Sequence, residues 1–201
     1  QTAARLFSER GYTAVGVAEI CDEAGLKKGS FYHFFETKLD LVLESIDCYA
    51  RGYDEAIGRA LVRTDKPARE QIVDVLQAVH GMLSRGTCED GKMRGCPIGN
   101  LALELAHREE AIRYKIDSVF ARWRGAFEMI LRRGVEQGEL DIPDPARTAE
   151  TIVALMQGAT LLAKTANDAD VFARVVESVL GIVPSRRSTP AVAPPTALAP
   201  A

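Results

Sequence analysis

Two groups of residues in this chain have the types and spacing for chemistry. Lys27, Lys28, Gly29, Ser30, Tyr32, His33 and Lys38 fall in one short stretch. Cationic, hydroxyl and imidazole side chains gathered this way suit a nucleic acid: lysines neutralise phosphates, while Ser or His can meet the donors and acceptors on base edges. The bland reading of the same residues is a plain three-helix unit with Tyr32 and His33 half-buried. The second group centres on Cys96, in Gly95-Cys96-Pro97 just ahead of a short helical segment. A helix N-terminus favours the thiolate, so this position is expected to lower the thiol pKa. Free cysteine is, however, usually buried and inert. Read as a nucleophile, Cys96 would make the chain a thiol-dependent enzyme on a helical bundle, with only His80 or His107 offered as its base.

Other reactive patterns are missing from the sequence. It has no Ser/His/Asp order, no phosphate loop and no paired carboxylates in a convincing context. The four cysteines, Cys21, Cys48, Cys88 and Cys96, are widely spaced, and the three histidines share no ligand spacing with them. No metal site and no cofactor are therefore expected. Cys21 and Cys48 read as small core residues, and Cys88 as an incidental or resolving thiol on a loop. Trp123, Phe120 and Phe127, with Met82, Met129 and Met156, recur at helical spacing and read either as core or as the wall of a ligand cavity.

The elements that must position these groups are helices. Residues 1–11 form a first helix closed by Gly11. Val17, Ile20, Cys21 and Ala24 share one face of a second, Gly25 supplies a left-handed turn, and 28–35 form a third with Phe31 and Phe34 facing the core. This is the layout of a helix-turn-helix, whose second helix lies in the DNA major groove. A long helix follows from Lys38 to about Val62, opened by a capping box of Thr37 and Asp40. Further helices span about 67–84, 98–106, 109–137 and 145–164. The last begins near Asp168 and carries an apolar stripe, Val171, Phe172, Val175, Val176, Val179 and Leu180. No strand pattern or internal repeat is visible, so the fold class is all-α.

The run from Gly25 to Lys38, read Gly-Leu-Lys-Lys-Gly-Ser-Phe-Tyr-His-Phe-Phe-Glu-Thr-Lys, resembles the signature of the TetR family of transcriptional regulators. The resemblance begins at Ala4-Arg-Leu-Phe-Ser-Glu-Arg-Gly-Tyr12, is clear to about Leu43 and extends more loosely to Val183. It implies that Lys28, Gly29, Tyr32 and His33 lie against DNA and that Lys38 binds a phosphate at the start of the next helix. One position departs: the family usually has Ser or Thr where Gly16 stands, and Gly brings no hydroxyl to cap the helix or touch a phosphate. The run Gly95-Cys96, with Leu101 and Glu104 after it, resembles the branch that includes the N-ethylmaleimide reductase repressor. That likeness implies that Cys96 reacts with electrophiles or oxidants and bonds reversibly to a lysine. Lys164 stands at the matching place in Gly158-Ala-Thr-Leu-Leu-Ala-Lys164.

These readings predict a helix-turn-helix domain over 1–46, a helical effector-binding and dimerisation domain over 47–183, and a disordered Pro/Ala-rich tail over 184–201. The expected function is a DNA-binding regulator, a repressor that binds a palindromic operator as a homodimer. It would leave DNA when a small-molecule effector binds or Cys96 is modified. The helices 145–164 and 169–181 are expected to form the dimer interface. The net charge of -3 weighs against a non-specific architectural DNA binder. No apolar run approaches the about 18 residues of a membrane span, and no signal-peptide pattern is seen. A cytoplasmic protein with no membrane partner is thus expected. The opening at Gln1 inside a helical pattern suggests that a short N-terminal arm precedes it.

Overall fold

The computed structural model describes residues 2–85 and 91–185. Cys88 and the tail from residue 186 onward lie outside the described residues. Helices α1 (Thr2–Arg10), α2 (Val17–Glu23) and α3 (Lys28–Phe34) form an N-terminal head. Its small core is Ala3, Leu6, Phe7, Ile20, Cys21 and Phe31, all buried. At the end of α2 the Leu26 N–H donates to the Cys21 carbonyl at 2.8 Å and the Gly25 N–H to that of Asp22 at 3.1 Å. Gly25 takes φ +65° to close this turn, a conformation that glycine adopts without strain. The expectation that Phe31 and Phe34 both face the core is half met: Phe31 is 6% exposed, but Phe34 is 77% exposed. α3 stops at Phe34, and the extended backbone of Phe35 (φ −132°) brings its ring to 5.7 Å from that of Phe31. Phe35 takes the inward place because the helix ends before it and the extended backbone turns its ring back toward Phe31.

Helix α4 (Lys38–Leu61) belongs to both parts of the chain. Its capping box forms as expected: the Asp40 N–H donates to the Thr37 hydroxyl at 3.1 Å and the Thr37 N–H to the Asp40 carboxylate at 2.8 Å. Toward the head, the Tyr49 hydroxyl donates to the Ala4 carbonyl of α1. Toward the body, the Tyr53 ring stacks on Trp123 at 4.7 Å.

The body consists of α5 (Ala68–Arg85), α6 (Pro97–Leu105), α7 (Glu110–Glu136), α8 (Pro145–Ala166), α9 (Asp170–Glu177) and α10 (Val179–Ile182). α7 is its axis, with Ile112, Ile116, Val119, Trp123, Phe127, Ile130 and Leu131 buried against α4, α5 and α8. Their spacing of three and four residues gives the helix an apolar stripe. α8 starts where the Asp144 carboxylate accepts the Arg147 N–H at 3.0 Å, and ends at Asn167 in the left-handed region (φ +54°). α9 and α10 fold back onto α8 and α5, and this leaves Phe172 and Val179 at 0% exposure within the chain. Two of the six residues of the stripe expected at a dimer interface are therefore buried within one chain; Val171, Val175, Val176 and Leu180 stay half-buried. The tail expected from 184 is tied down at its start, since Ser185 bridges to Leu140 and the Asp141 N–H donates to the Pro184 carbonyl at 3.2 Å. Among the described residues no helix is long and apolar enough to cross a membrane.

Gly134, on α7, sits where a Cβ would lie 2.6 Å from the Cβ of Ala68 and 2.7 Å from a Leu140 methyl. Ala68 cannot rotate away, so Gly134→Ala is expected to lower stability by about 1–3 kcal/mol through overpacking. Gly58→Ala on α4, where the added carbon meets nothing within 4 Å, should be neutral or stabilising by up to about 1 kcal/mol. Thermal denaturation of the two variants checks the contrast, which would be absent if the α5–α7 contact were loose.

Candidate DNA-binding head and effector cavity

Lys27, Lys28, Gly29, Ser30, Tyr32 and His33 are all exposed on or just ahead of α3. The buried Phe31 ring and the turn at Gly25 hold that helix against α1 and α2, so the exposed groups sit on a fixed rod. Gly29 has open space where a Cβ would be; no packing within the chain requires glycine there, and its absence of side chain leaves room for another molecule. Gly16 caps α2 in an extended conformation with no side-chain hydrogen bond, as the absence of a hydroxyl predicts.

Lys38 is set apart from this group. Its Nζ donates to the Tyr12 carbonyl at 2.6 Å and stands 3.9 Å from the centroid of the Tyr12 ring. Burial lowers its pKa from the ordinary lysine value, although the nearby Glu104 carboxylate acts in the opposite sense. The side chain is thus engaged within the head rather than held out toward a phosphate. What remains at that place is the start of α4, whose first-turn N–H groups have no partners inside the helix.

Glu104 explains this arrangement. From α6 in the body, one carboxylate oxygen accepts the Tyr12 N–H at 3.0 Å; the other accepts the Thr13 N–H at 2.8 Å and the Thr13 hydroxyl at 2.6 Å. Gly11 makes room for it: φ is +82°, and a Cβ would stand 3.1 Å from the carboxylate. Partial burial pushes the Glu104 pKa up, but the hydrogen bonds from Thr13 and Tyr12 and the Lys38 charge together outweigh it, and the pKa falls below its ordinary value.

At the other end of α6 stands Cys96. It is the N-cap of the helix, and its Sγ accepts the Gly99 N–H at 3.4 Å. It is only 4% exposed. Burial raises the thiol pKa, and the hydrogen bonds from Gly99, Tyr53, Ile98 and Gln157 that favour the thiolate do not offset it. The expected lowering is therefore reversed: the helix terminus acts in the expected direction, and desolvation is the larger effect.

Cys96 borders a mostly apolar cavity of about 290 Å³ between α6, α7 and α8, walled by Asn100, Leu103, Phe120, Gln157, Leu161 and Lys164. The two glycines flanking Cys96 make this wall possible. A Cβ on Gly95, which has φ +73°, would lie 3.0 Å from the Lys164 side chain; one on Gly99 would lie 2.8 Å from the Gln157 amide oxygen. The Lys164 Nζ donates to the Asn100 side chain at 2.9 Å. Cys96 and Lys164 thus share one cavity. Of the three aromatic candidates only Phe120 reaches it. Trp123 and Phe127 are one turn apart on the face of α7 buried in the core; the Trp123 Nε1–H donates to Asp54 at 2.9 Å, and Phe127 is 0% exposed. A second cavity, of about 320 Å³, lies between head and body and includes Arg5, Glu9, Tyr49, Tyr53, Met82 and Gly95.

Sequence reasoning did not assign roles to Glu104, Asn100, Gln157 or Tyr53. Glu104 alone left a signal, being the single charged residue of Pro97–Leu105. Glu104→Gln is expected to cost about 1–3 kcal/mol, the range for losing a charged acceptor from partly buried donors. Because the folded-state pKa is depressed, the carboxylate stabilises the fold above the unfolded value of about 4.3. That contribution is lost as pH falls through the lower folded value. The difference in melting temperature between wild type and Glu104→Gln should therefore be full at neutral pH and vanish in strong acid; a difference independent of pH would mean that the charge is not the cause.

Known proteins fit this geometry. Residues 1–45 match the family model described as bacterial regulatory proteins, tetR family, and residues 64–179 the model described as tetracyclin repressor-like, C-terminal domain. The transcriptional regulator AcuR of Cereibacter sphaeroides is 31% identical over 159 residues, which cover 79% of this chain and 71% of that protein. The HTH-type transcriptional repressor NemR of Escherichia coli K12 is 26% identical over 192 residues, covering 95% and 92%. Among solved structures, a regulatory protein TetR from Rhodobacter sphaeroides superposes with a TM-score of 0.78 at 27% identity, covering 91% of this chain and 97% of that one. The reduced form of E. coli NemR shares the fold, with a TM-score of 0.79 at 23% identity, covering 94% and 95%. These relatives are regulators and not enzymes, so the reading of Cys96 as the nucleophile of a thiol enzyme has no support. With a head model and a body model matched in that order along one all-α chain, the protein belongs to the TetR family of DNA-binding transcriptional regulators.

Proposed function

We propose that the protein is a repressor that acts as a homodimer on a palindromic operator and is released by a small effector bound beside Cys96. The head, residues 1–46, would lay α3 in the major groove, and the two heads of a dimer would meet successive grooves about 34 Å apart. Lys27, Lys28 and Gly29 suit the phosphate backbone; Ser30, Tyr32 and His33 suit base edges. The body, residues 47–183, would hold the effector and the subunit contact. The protein would work in the cytoplasm, where its DNA is.

The observation that carries the effector-release reading is the placement of α6. Cys96 caps one end of this helix in the cavity, and Glu104 at the other end grips Tyr12 and Thr13 of the head. Nine residues of helix span only about 13 Å, so a ligand that shifts the start of α6 is felt at the head without an intervening flexible segment. A covalent route is the second reading, favoured by Cys96 and Lys164 bordering the same cavity. The raised thiol pKa makes that route slow unless the cavity first binds the electrophile.

The test is competition binding with fluorescent genomic fragments at moderate salt. A specific fragment should survive excess competitor DNA. Lys28→Ala should weaken all sequences alike and reduce the salt slope by about 1, whereas His33→Ala should change the preference between sequences. If no fragment resists competitor, the specific-repressor reading fails.

A further inference from the structure

We propose that the cavity between head and body is a ligand site in its own right, separate from the one beside Cys96, and that it takes a small aromatic carboxylate whose binding unfastens α1 from α4. Small-molecule sites are concave and mostly apolar with a few polar groups, enclose about 300 Å³ or more, and favour the junction of two domains. This cavity encloses about 320 Å³ at such a junction. α1 of the head closes one side; α4, α5 and the segment leading into α6 close the others. Among the described residues it shares only Gly95 with the cavity beside Cys96.

The lining sets the chemistry of the occupant. Tyr49 and Tyr53 bring rings and Met82 a thioether, a group that packs favourably at an aromatic edge. Arg5 and Arg94 border the same space, and a planar guanidinium is the side chain best matched to a carboxylate. Arg5 gives one N–H to Glu9 at 3.0 Å and another to Glu23 at 2.8 Å. A guanidinium has five donors, so the group can still serve an incoming anion. A flat apolar body with one carboxylate suits this mixture better than a cation, since Arg5 and Arg94 face a single acid of the lining, Glu9.

Tyr49 decides what occupancy does. Its hydroxyl donates to the Ala4 carbonyl, and both residues line the cavity. Burial pushes the Tyr49 pKa up, so the hydroxyl keeps its proton and stays a donor. The Ala4 carbonyl lies within α1, where the N–H four residues on is its helical partner. It is therefore not orphaned if the hydroxyl turns away. An ionised carboxylate is the stronger acceptor, by roughly twofold over a neutral carbonyl. A carboxylate bound beside Tyr49 takes over this hydrogen bond, and a link between the head and the long helix is exchanged for a link to the ligand.

The test uses the full chain without DNA, so its failure and that of the repressor reading are separate results. Cinnamate is the probe and cinnamamide its uncharged counterpart, each followed by equilibrium dialysis. Cinnamate should bind the wild type, and cinnamamide should bind at least about tenfold more weakly, the order expected for losing a charge-assisted hydrogen bond. Ser8→Trp, which fills the cavity from α1, should abolish binding. Leu103→Trp, at an exposed residue of the cavity beside Cys96, should leave it unchanged. Should Ser8→Trp not fold by circular dichroism, Met82→Trp fills the same space from α5. No binding to the wild type at millimolar cinnamate, retention in the filled variant or loss in Leu103→Trp overturns the site; equal binding of the amide overturns the carboxylate. Hydrogen exchange reads the consequence. Saturating cinnamate should speed amide exchange in the peptide that covers α1, and should not speed it further in Tyr49→Phe, which lacks the bond from the start. Slower or unchanged exchange in the wild type, or equal acceleration in Tyr49→Phe, overturns the unfastening of α1.

Discussion

A single carboxylate ties α6 of the body to the link between α1 and α2. Glu104 reaches out of α6 and accepts both backbone N–H groups of Tyr12 and Thr13 together with the Thr13 hydroxyl. The Tyr12 carbonyl and ring in turn take the Lys38 ammonium from the first turn of α4. The link between α1 and α2, the start of the long helix and the end of α6 are thus bound into one polar cluster. Around it, apolar contact between head and body comes through α4, which shares a core with each. This cluster and the bond from Tyr49 to Ala4 are polar links that hold the head against the body. Charge-assisted hydrogen bonds are the stronger and more directional kind, which suits them to fixing an angle where burial alone would fix only proximity.

The second constraint is steric. Gly11, Gly95 and Gly99 are each glycine because something else must come close: the Glu104 carboxylate, the Lys164 stem and the Gln157 amide. Gly95 lines both cavities, and the Tyr53 hydroxyl reaches the Cys96 thiol from the other side. The segment 95–99 is therefore a thin partition between a space facing the head and a space facing α8. A Cβ at any of the three glycines would have to displace the group that approaches it.

The sequence was most legible where structure is local. The helix-turn-helix, the Thr37–Asp40 capping box, the long α7 and the Asp144–Pro145 start all depend on residues within a few positions of one another. What could not be read depends on distant partners. Phe34 and Phe35 are indistinguishable by composition, and only the early end of α3 decides which turns inward. The phosphate role of Lys38 came from the family resemblance, and its bond to Tyr12, 26 positions earlier, was not legible. Trp123, Phe120 and Phe127 share one helical pattern, and nothing short of the packing of α4 against α7 separates core from cavity wall. For Cys96 the sequence offered both a helix terminus, which favours the thiolate, and the burial usual for a free cysteine; only the packing decides that desolvation is the larger effect. Glu104 was visible as a lone acid in an apolar helix, but its three donors lie 91 and 92 positions earlier in the chain.

The placement of Lys38 has a consequence for the energetics of regulation. One ammonium cannot keep its seat on the Tyr12 carbonyl and ring while fully serving a DNA phosphate. If the operator draws Lys38 outward, the cluster at Glu104 loses its counter-charge, and part of the free energy of DNA binding goes into loosening the hinge between head and body. Thermodynamic reciprocity then applies. A molecule that binds the tightened hinge more strongly would weaken DNA binding by the same factor by which DNA weakens the binding of that molecule. A DNA phosphate and the Tyr12 carbonyl and ring would thus compete for a single ammonium.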